Sequence, residues 1–369
     1  MKVCHLTSVH PAEDIRIFVK ECRYLSQSGL DVTLVVGNSE TYIKDDVKIV
    51  GVPIQAGNRY VRILMGPIKI YQKALEVDAD VYHFHDPELL PVGILLQRKG
   101  KKVIYDVHED VPEQVLSKEW IPAPFRRLIS KAVKGIEKYA SSRFSAVVTA
   151  TPTINERFKT YNSNSVVIHN FPIMNELNMD EANLDNKKKE TAIYIGGITR
   201  LRGISEMVDA FEIINQQETI PLSLAGKFSP EKLEEEMKAK NGWDYVDHAG
   251  WLTREEVKEY LSRAFVGLVL LHPEPRYIVS YPIKLFEYMS AGIPVIASNF
   301  PLWEQIIQDS GCGVSVDPLN PEAISDAVLW FYRNPEEAKK MGASGRKAII
   351  EKYNWEKEAE RLVELYRAL

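Results

Sequence analysis

The sequence predicts an α/β protein built as two doubly wound, Rossmann-like domains. Three observations carry that expectation. The chain has 369 residues, enough for two domains of about 150 residues each. It opens with a βαβ pattern, from the apolar run Lys2–Thr7 through an amphipathic segment to Val32–Val36. The alternation then restarts at Thr191–Ile195, after residues 174–190, which are polar, acidic and then basic, with no hydrophobic period. Hydrophobic residues make up 45% and charged residues 26%, values of a globular chain rather than a disordered one. A net charge of −5 gives no global electrostatic case for nucleic acid. Cys4, Cys22 and Cys312 lack CxxC spacing, so they make neither a disulfide framework nor a zinc site, and they fit a reducing, cytoplasmic setting. The opening MKVCHLTSVH reads as a strand rather than a cleavable leader. No apolar run approaches the roughly 18 residues that a spanning helix needs.

After the first strand, His10–Arg16 reads as a loop and Ile17–Ser28 as a helix with Phe18, Cys22 and Leu25 on one face. The loop lacks GxGxxG, so it is no NAD fingerprint and no cofactor is expected. Asp14 and Arg16 stand in it either as groups lining a cleft or as a helix-capping Asp beside a surface Arg. Asp78 and Asp80 form a DxD, a pattern that holds metal elsewhere. Here it precedes the strand Val81–Phe84 at its amino end, away from the ligand-binding edge, and reads as turn residues.

The other end of that strand runs into His83-Phe-His85-Asp86-Pro87. The next strand, Val103–Val107, ends in Asp106-Val-His108-Glu109-Asp110. Two strands thus deliver histidines and carboxylates to one carboxyl edge, which is a site-like arrangement. Side chains alternate between faces, so only some of them reach one cleft. His83, His85, His108 and the carboxylates have the chemistry of zinc ligands, but no HExxH or Cys/His pair spacing exists, and no metal is expected. Without further context, a histidine that ends a strand is more often a structural hydrogen-bonder.

Trp120–Arg143, with a turn at Pro122 and Pro124, reads as an amphipathic helix. Phe125, Leu128, Ile129, Ala132, Val133 and Ile136 line one side, and Arg126, Arg127, Lys131, Lys134 and Lys138 another. Core packing with a solvated cationic face is the favoured reading; contact with an anionic membrane is the rival. A strand at Ala146–Ala150, a helix from Pro152 and a strand at Val166–His169 complete the first domain, which Asn170-Phe-Pro closes. The expected division is 1–172, a linker at 173–190 and 191–354, followed by an amphipathic final helix at 355–369.

In the second domain Thr191–Ile195 leads into the loop Gly196–Gly203 and a helix over Ile204–Gln216. Glycines with Arg200 and Arg202 between a strand and a helix suit a diphosphate: backbone donors approach closely, the helix N-terminus is positive, and arginine gives forked hydrogen bonds. Strands follow at Leu222–Ala225, Val246–Trp251 and Phe265–His272. Thr253 reads as an N-cap with Glu256 three residues on, a capping box. Then Tyr277–Glu304 reads as loop, helix, turn, buried strand, loop and helix. Lys284 and Glu287 stand three apart on one face of its first helix, near the N-terminus.

YPIKLFEYMSAGIPVIAS, with HTS…DIRIF…ECRYL, HFHDPELLP, YDVHE and the closing WEKEAERLVELY, resembles retaining glycosyltransferases of family 4. The resemblance implies the GT-B fold, two Rossmann-like domains facing across a cleft, with the C-terminal helix crossing back to an acceptor-binding N-terminal domain. It implies that Glu287 binds the ribose of a sugar nucleotide and that the backbone at Tyr281, Pro282 and Ile283 faces phosphate and sugar. The base would lie near Trp251 and Leu252, and the diphosphate against Gly196, Gly197, Arg200, Arg202 and Lys284. His108 falls beside the transferred sugar, with Asp86 and Glu109 as groups that orient the acceptor or fix His108. Two departures stand out: Val279 replaces the first of two glutamates eight positions apart, and Gly197 replaces an arginine of the loop. The implied activity is metal-free transfer from a UDP-sugar, or a GDP-sugar, to a glycan or lipid-linked acceptor, as in surface polysaccharide synthesis. A UDP-sugar 2-epimerase of the same fold and a non-catalytic nucleotide-sugar-binding partner are the rivals.

Overall fold

The computed structural model describes residues 1–54, 59–117, 121–174, 176 and 190–369. Most of the expected linker (175 and 177–189) and Trp120 lie outside them. The chain divides into two compact units, Met1–Asn170 with Trp355–Leu369, and Phe171–Asn354.

The first unit is organised on β1 (Lys2–Thr7), β2 (Asp31–Gly37), β3 (Tyr42–Lys44), β4 (Val47–Val52), β5 (Val81–Phe84), β6 (Lys102–Val107), β7 (Ala146–Thr149) and β8 (Ser165–Val167). Their order is β3-β4-β2-β1-β5-β6-β7-β8. All neighbours are parallel except β3 and β4, an antiparallel edge pair. The central runs KVCHLT, DVTLVV and VYHF are buried along nearly their whole length, as a parallel sheet covered on both faces requires. β1 has β2 on one side and β5 on the other. The strand order therefore reverses beside β1, and the carboxyl ends of β1 and β5 form the crevice where such sheets take ligands.

Three expectations are corrected here. The first helix begins at Ile15, not Ile17, because the Asp14 carboxylate caps it by accepting from the N–H groups of Arg16 (2.9 Å) and Ile17 (3.0 Å). Its opening turns through Cys22 wind as a π-helix, with Val19 N–H donating to the Asp14 carbonyl five residues back. Arg16 is buried, neither a surface charge nor a group facing an acceptor. The helix Ala123–Ser141 does not pack its apolar side into the core: it buries Glu137, Ala140 and Ser141 and leaves Phe125 (56%), Leu128 (64%) and Ile136 (52%) exposed. Periodicity shows that a helix has two faces and is silent on which is covered. The final helix, Trp355–Ala368, packs on this unit. Its Tyr366 is buried, and Glu358 accepts from the His169 N–H at 2.9 Å.

The second unit carries β9 (Thr191–Ile195), β10 (Leu222–Ala225), β11 (Val246–Gly250), β12 (Ala264–Val269), β13 (Val295–Ser298) and β14 (Gly313–Val316). They are all parallel, in the order β11-β10-β9-β12-β13-β14. Apolar layers cover both faces, one built on Phe211, Met207 and Leu224, the other on Phe286, Met289 and Trp303. Here the order reverses between β9 and β12, so the Gly196–Gly203 loop stands at the switch point. Thr253 and Glu256 form the expected capping box.

Candidate functional site

At the switch point of the first unit, Asp86 follows β5 and His10 follows β1. Asp86 is buried and accepts from the Thr7 hydroxyl (2.8 Å) and from the Ser8 N–H (2.6 Å) and hydroxyl (3.2 Å), while His10 Nδ1 lies 2.9 Å from its other oxygen. Burial pushes the Asp86 carboxyl up, but His10 and these donors outweigh it and hold it down to about 2. The hydrogen bond to Asp86 raises the His10 imidazole in turn. His10 is one third exposed and escaped the sequence reading; its signal was its place just past a strand's carboxyl end.

His108 stands one position past β6, with Nε2 3.0 Å from Asp106 Oδ2 and 3.3 Å from His85 Nδ1. Asp106 is fully buried. Arg16 donates to both its oxygens, at 3.2 and 3.0 Å, and to the Ile168 carbonyl. Burial pushes the Asp106 carboxyl up, yet the Arg16 and His108 charges hold it well below its usual range. With Asp106 ionised, His108 carries its proton on Nε2 and turns Nδ1 away from the carboxylate. The rings of His10 and His108 lie 5.7 Å apart, so the structure brings these two imidazoles and Asp86 to one edge. Asp14 caps a helix instead, and Arg16 reaches this edge as the buried partner of Asp106. Glu109 is exposed and bonded to Gln114.

At the switch point of the second unit, Gly196 adopts φ +134°, and a Cβ built there would lie 2.4 Å from Lys284 Nζ. The missing side chain is therefore where the ammonium sits. Lys284 Nζ stands 5.3 Å from the Tyr194 ring centroid, and Arg202 Nη1 donates to the Gly197 carbonyl at 3.3 Å. Burial, helped by the Arg202 charge and opposed by Glu287, pushes the Lys284 ammonium down to about 8. Two cations thus converge on bare backbone at a glycine turn. Arg200 does not join them: its side chain is 56% exposed and pairs with Glu236.

Glu287 is held by Arg254 (3.2 Å), which also pairs with Glu176 (3.0 Å). Arg254 was missed because its partner lies 33 positions away. Pro282 precedes the helix Ile283–Ser290, Ile283 is exposed, and Tyr281 packs on Phe171 and Phe286. Leu252 follows β11 beside a pocket of about 760 Å³ lined by Gly226, Lys227, Phe228, His248 and Trp251. Gly226, at φ +145°, lies so close to the Gly196 carbonyl oxygen that a Cβ would come within 1.9 Å of it. The pocket and the cation pair therefore adjoin.

Residues 175–348 match the model of the glycosyl transferases group 1, and residues 16–171 that of glycosyltransferase family 4. Among curated proteins the chain is similar to the MMP alpha-(1->4)-mannosyltransferase of Mycolicibacterium hassiacum, at 20% identity over 78% of this chain and 70% of that one. It is also similar to the alpha-maltose-1-phosphate synthase of Mycolicibacterium smegmatis, at 26% identity over 47% of this chain and 46% of that one. Among solved structures, the sucrose-phosphate synthase of Thermosynechococcus elongatus superimposes with a TM-score of 0.78 at 18% identity, covering 100% of this chain and 98% of that one. HepE of Anabaena, solved with UDP-glucose, does so at 0.74 and 12%, covering 100% of both. At these identities the structural likeness establishes the GT-B fold.

Proposed function

The chain belongs to the glycosyltransferases of family 4 and group 1, and from that premise we propose that it moves a sugar from a nucleotide-sugar donor to a glycan or lipid-linked acceptor with retention of configuration. A UDP-sugar is the favoured donor, in line with the HepE complexes; a GDP-sugar is the alternative. One observation carries the reading: Lys284 and Arg202 meet at the Gly196–Gly197 turn, where two cations and free backbone suit a diphosphate.

In this mechanism the ammonium and guanidinium take up the charge that develops as the diphosphate leaves, a role that in other enzymes falls to a metal ion. Glu287, oriented by Arg254, accepts from the ribose hydroxyls. The base occupies the neighbouring pocket near Trp251 and Leu252, with Tyr281, Pro282 and Ile283 lining the way to the sugar. On the first unit His108 offers Nδ1 to a sugar hydroxyl, and Asp86 with His10 orients the acceptor. The acceptor hydroxyl attacks the face from which the diphosphate departs and gives its proton to the leaving phosphate, so no protein base is obligatory.

Thermal stability with UDP, GDP, ADP and NAD, with and without EDTA, is the first test. A ligand at 100 times its dissociation constant stabilises by about 2.7 kcal/mol, so the expected outcome is a raised midpoint with UDP or GDP in either buffer. Incubation with a donor panel then follows. Transfer or slow donor hydrolysis with the anomer retained supports the proposal. Conversion of the sugar without acceptor indicates an epimerase, and binding without any turnover indicates a partner protein.

The exposed face of the Ala123–Ser141 helix adds a finer proposal. Phe125, Leu128 and Ile136 beside Arg127, Lys131 and Lys134 suit peripheral contact with an anionic membrane, where each basic residue contributes about 1 kcal/mol. The protein is expected to sediment with phosphatidylglycerol vesicles and not with phosphatidylcholine ones. Equal recovery with both kinds of vesicle counts against the contact.

A further inference from the structure

Beneath the edge formed by β1 and β5 lies a cluster of ionisable side chains that the transfer reaction does not use. We propose that His5, Glu21, His83 and His85 are the ligands of one buried structural divalent metal ion, zinc by the chemistry of the set. His83 lies on β5 and His85 one position past its end, with their rings stacked at 4.8 Å. His5 is the register partner of His83 on β1, and Glu21 descends on them from the first helix. His5, Glu21 and His83 are inaccessible and His85 is 3% exposed.

One pair, His5 and His85, is at hydrogen-bond distance, and the longer spacings around it leave room for a shared centre. His5 Nδ1 and His85 Nε2 are 3.0 Å apart, and Glu21 Oε2 lies 3.9 Å from each. The centre of that triangle is about 2.1 Å from all three atoms, the length of a zinc bond to imidazole or carboxylate. His83 Nδ1, 4.0 Å from the same oxygen, supplies the fourth corner, and the four ligating atoms lie within 4.8 Å of one another. As hydrogen bonds, 3.9 and 4.0 Å are too long. Among the described residues neither Glu21 Oε2 nor His83 Nε2 has a hydrogen-bond partner, a costly state for buried polar atoms. Arg16 meets the other oxygen, Oε1, at 3.2 Å, which leaves Oε2 facing the imidazoles.

The surroundings fit as well. A ligating histidine usually donates its second N–H to a carboxylate or hydroxyl. His85 Nδ1 lies 3.3 Å from Asp106 Oδ2, and His5 Nε2 lies 3.1 Å from the Tyr366 hydroxyl. The Asp106 contact selects the His85 tautomer whose lone pair points into the cluster, and the Tyr366 hydroxyl accepts the same arrangement at His5. Tyr366 also lies 2.7 Å from His83 Nδ1, so its hydroxyl gives up that contact when the fourth ligand binds. Burial disfavours the charged form of all three imidazoles. His108, with Asp106 a second way of completing a ligand set, is less suited, because Arg16 already occupies Asp106. Four protein ligands close the coordination sphere, which marks a structural site rather than a catalytic one.

The test uses the untagged full chain, expressed with zinc, manganese and iron supplied and then gel-filtered. Mass spectrometry is expected to find close to one zinc per chain, retained when the folded protein is dialysed against EDTA and lost when it is unfolded there. Refolding with cobalt alone should give the intense visible bands of a tetrahedral centre. Tyr366→Phe, a variant that keeps the packing, should compete with a chelator about 10- to 100-fold less well than the native chain. His85→Gln should carry no ion. If that variant does not fold, the native chain and Tyr366→Phe decide. Folded native protein without bound metal overturns the proposal, as do cobalt bands that persist unchanged in folded His85→Gln. The inference is independent of the transferase reading, since UDP binding and metal content are separate measurements.

Discussion

At the carboxyl edge of β1, β5 and β6 the charged groups are bound to one another: Asp86 to His10 and Ser8, Asp106 to Arg16 and His108. At the corresponding edge of β9 and β12, Lys284 and Arg202 stand against a glycine turn, and neither forms an ion pair with a carboxylate among the described residues, Glu287 near Lys284 being held by Arg254 instead. The first edge satisfies its charges internally, so its side chains position and stabilise. The second leaves positive potential unanswered, which is the state of a site waiting for an anion. Two units of one architecture thus differ in whether their charges are answered within the fold.

Substitutions can break that contrast. The largest expected effect is on stability at the first edge. Asp86→Ala strips the buried partner from His10, Thr7 and Ser8 and should cost about 3 kcal/mol in denaturant unfolding. A loss below the error of the measurement would mean that this edge is not held by its charges. At the second edge Lys284→Ala should leave stability unchanged or higher and lower kcat/KM for the donor by roughly 10- to 150-fold, the equivalent of one charge-assisted hydrogen bond. Arg202→Ala should fall in the same range while Arg200→Ala stays within about 2-fold, because an exposed pair such as Arg200–Glu236 is worth little. Equal losses in both arginine variants would return Arg200 to the diphosphate.

The pH dependence sharpens the contrast further. The Lys284 ammonium, held near 8, is charged below that value and neutral above it. Donor affinity should therefore be full at pH 7 and decline above about 8, shifted upward in the bound state by the anion's own charge. A flat profile of donor KM to pH 9.5, on the order of one unit past that range, would remove Lys284 from the site. The smallest effect belongs to a cap away from both edges: Thr253→Ala should destabilise by about 1 kcal/mol without touching turnover.

Much of this was legible in the chain. Alternating apolar runs and Gly-rich turns gave both sheets, and the glycine loop with Lys284 gave the cation site, because those signals are local. What escaped depends on partners far away in sequence. Arg16 reads as a surface charge until Asp106, 90 positions on, binds it. Tyr366 and His5 touch across 361 positions, and Glu21 looks like an ordinary helix surface residue until β1 and β5 come together beneath it. The Ala123–Ser141 helix misled for a different reason: an apolar stripe is equally periodic whether covered or bare.

One feature of the fold bears on how the molecule is made. The first unit is completed by Trp355–Leu369, which the ribosome synthesises after the whole of Phe171–Asn354. Domains generally fold as they emerge, amino-terminal first, but here the earlier unit must wait while the later one can close. During that interval Tyr366 is absent, and the imidazoles and Glu21 beneath the sheet edge have no lid. The nascent chain is thus expected to resist protease first in its middle, residues 171–354, and at its beginning only once Trp355–Leu369 has emerged.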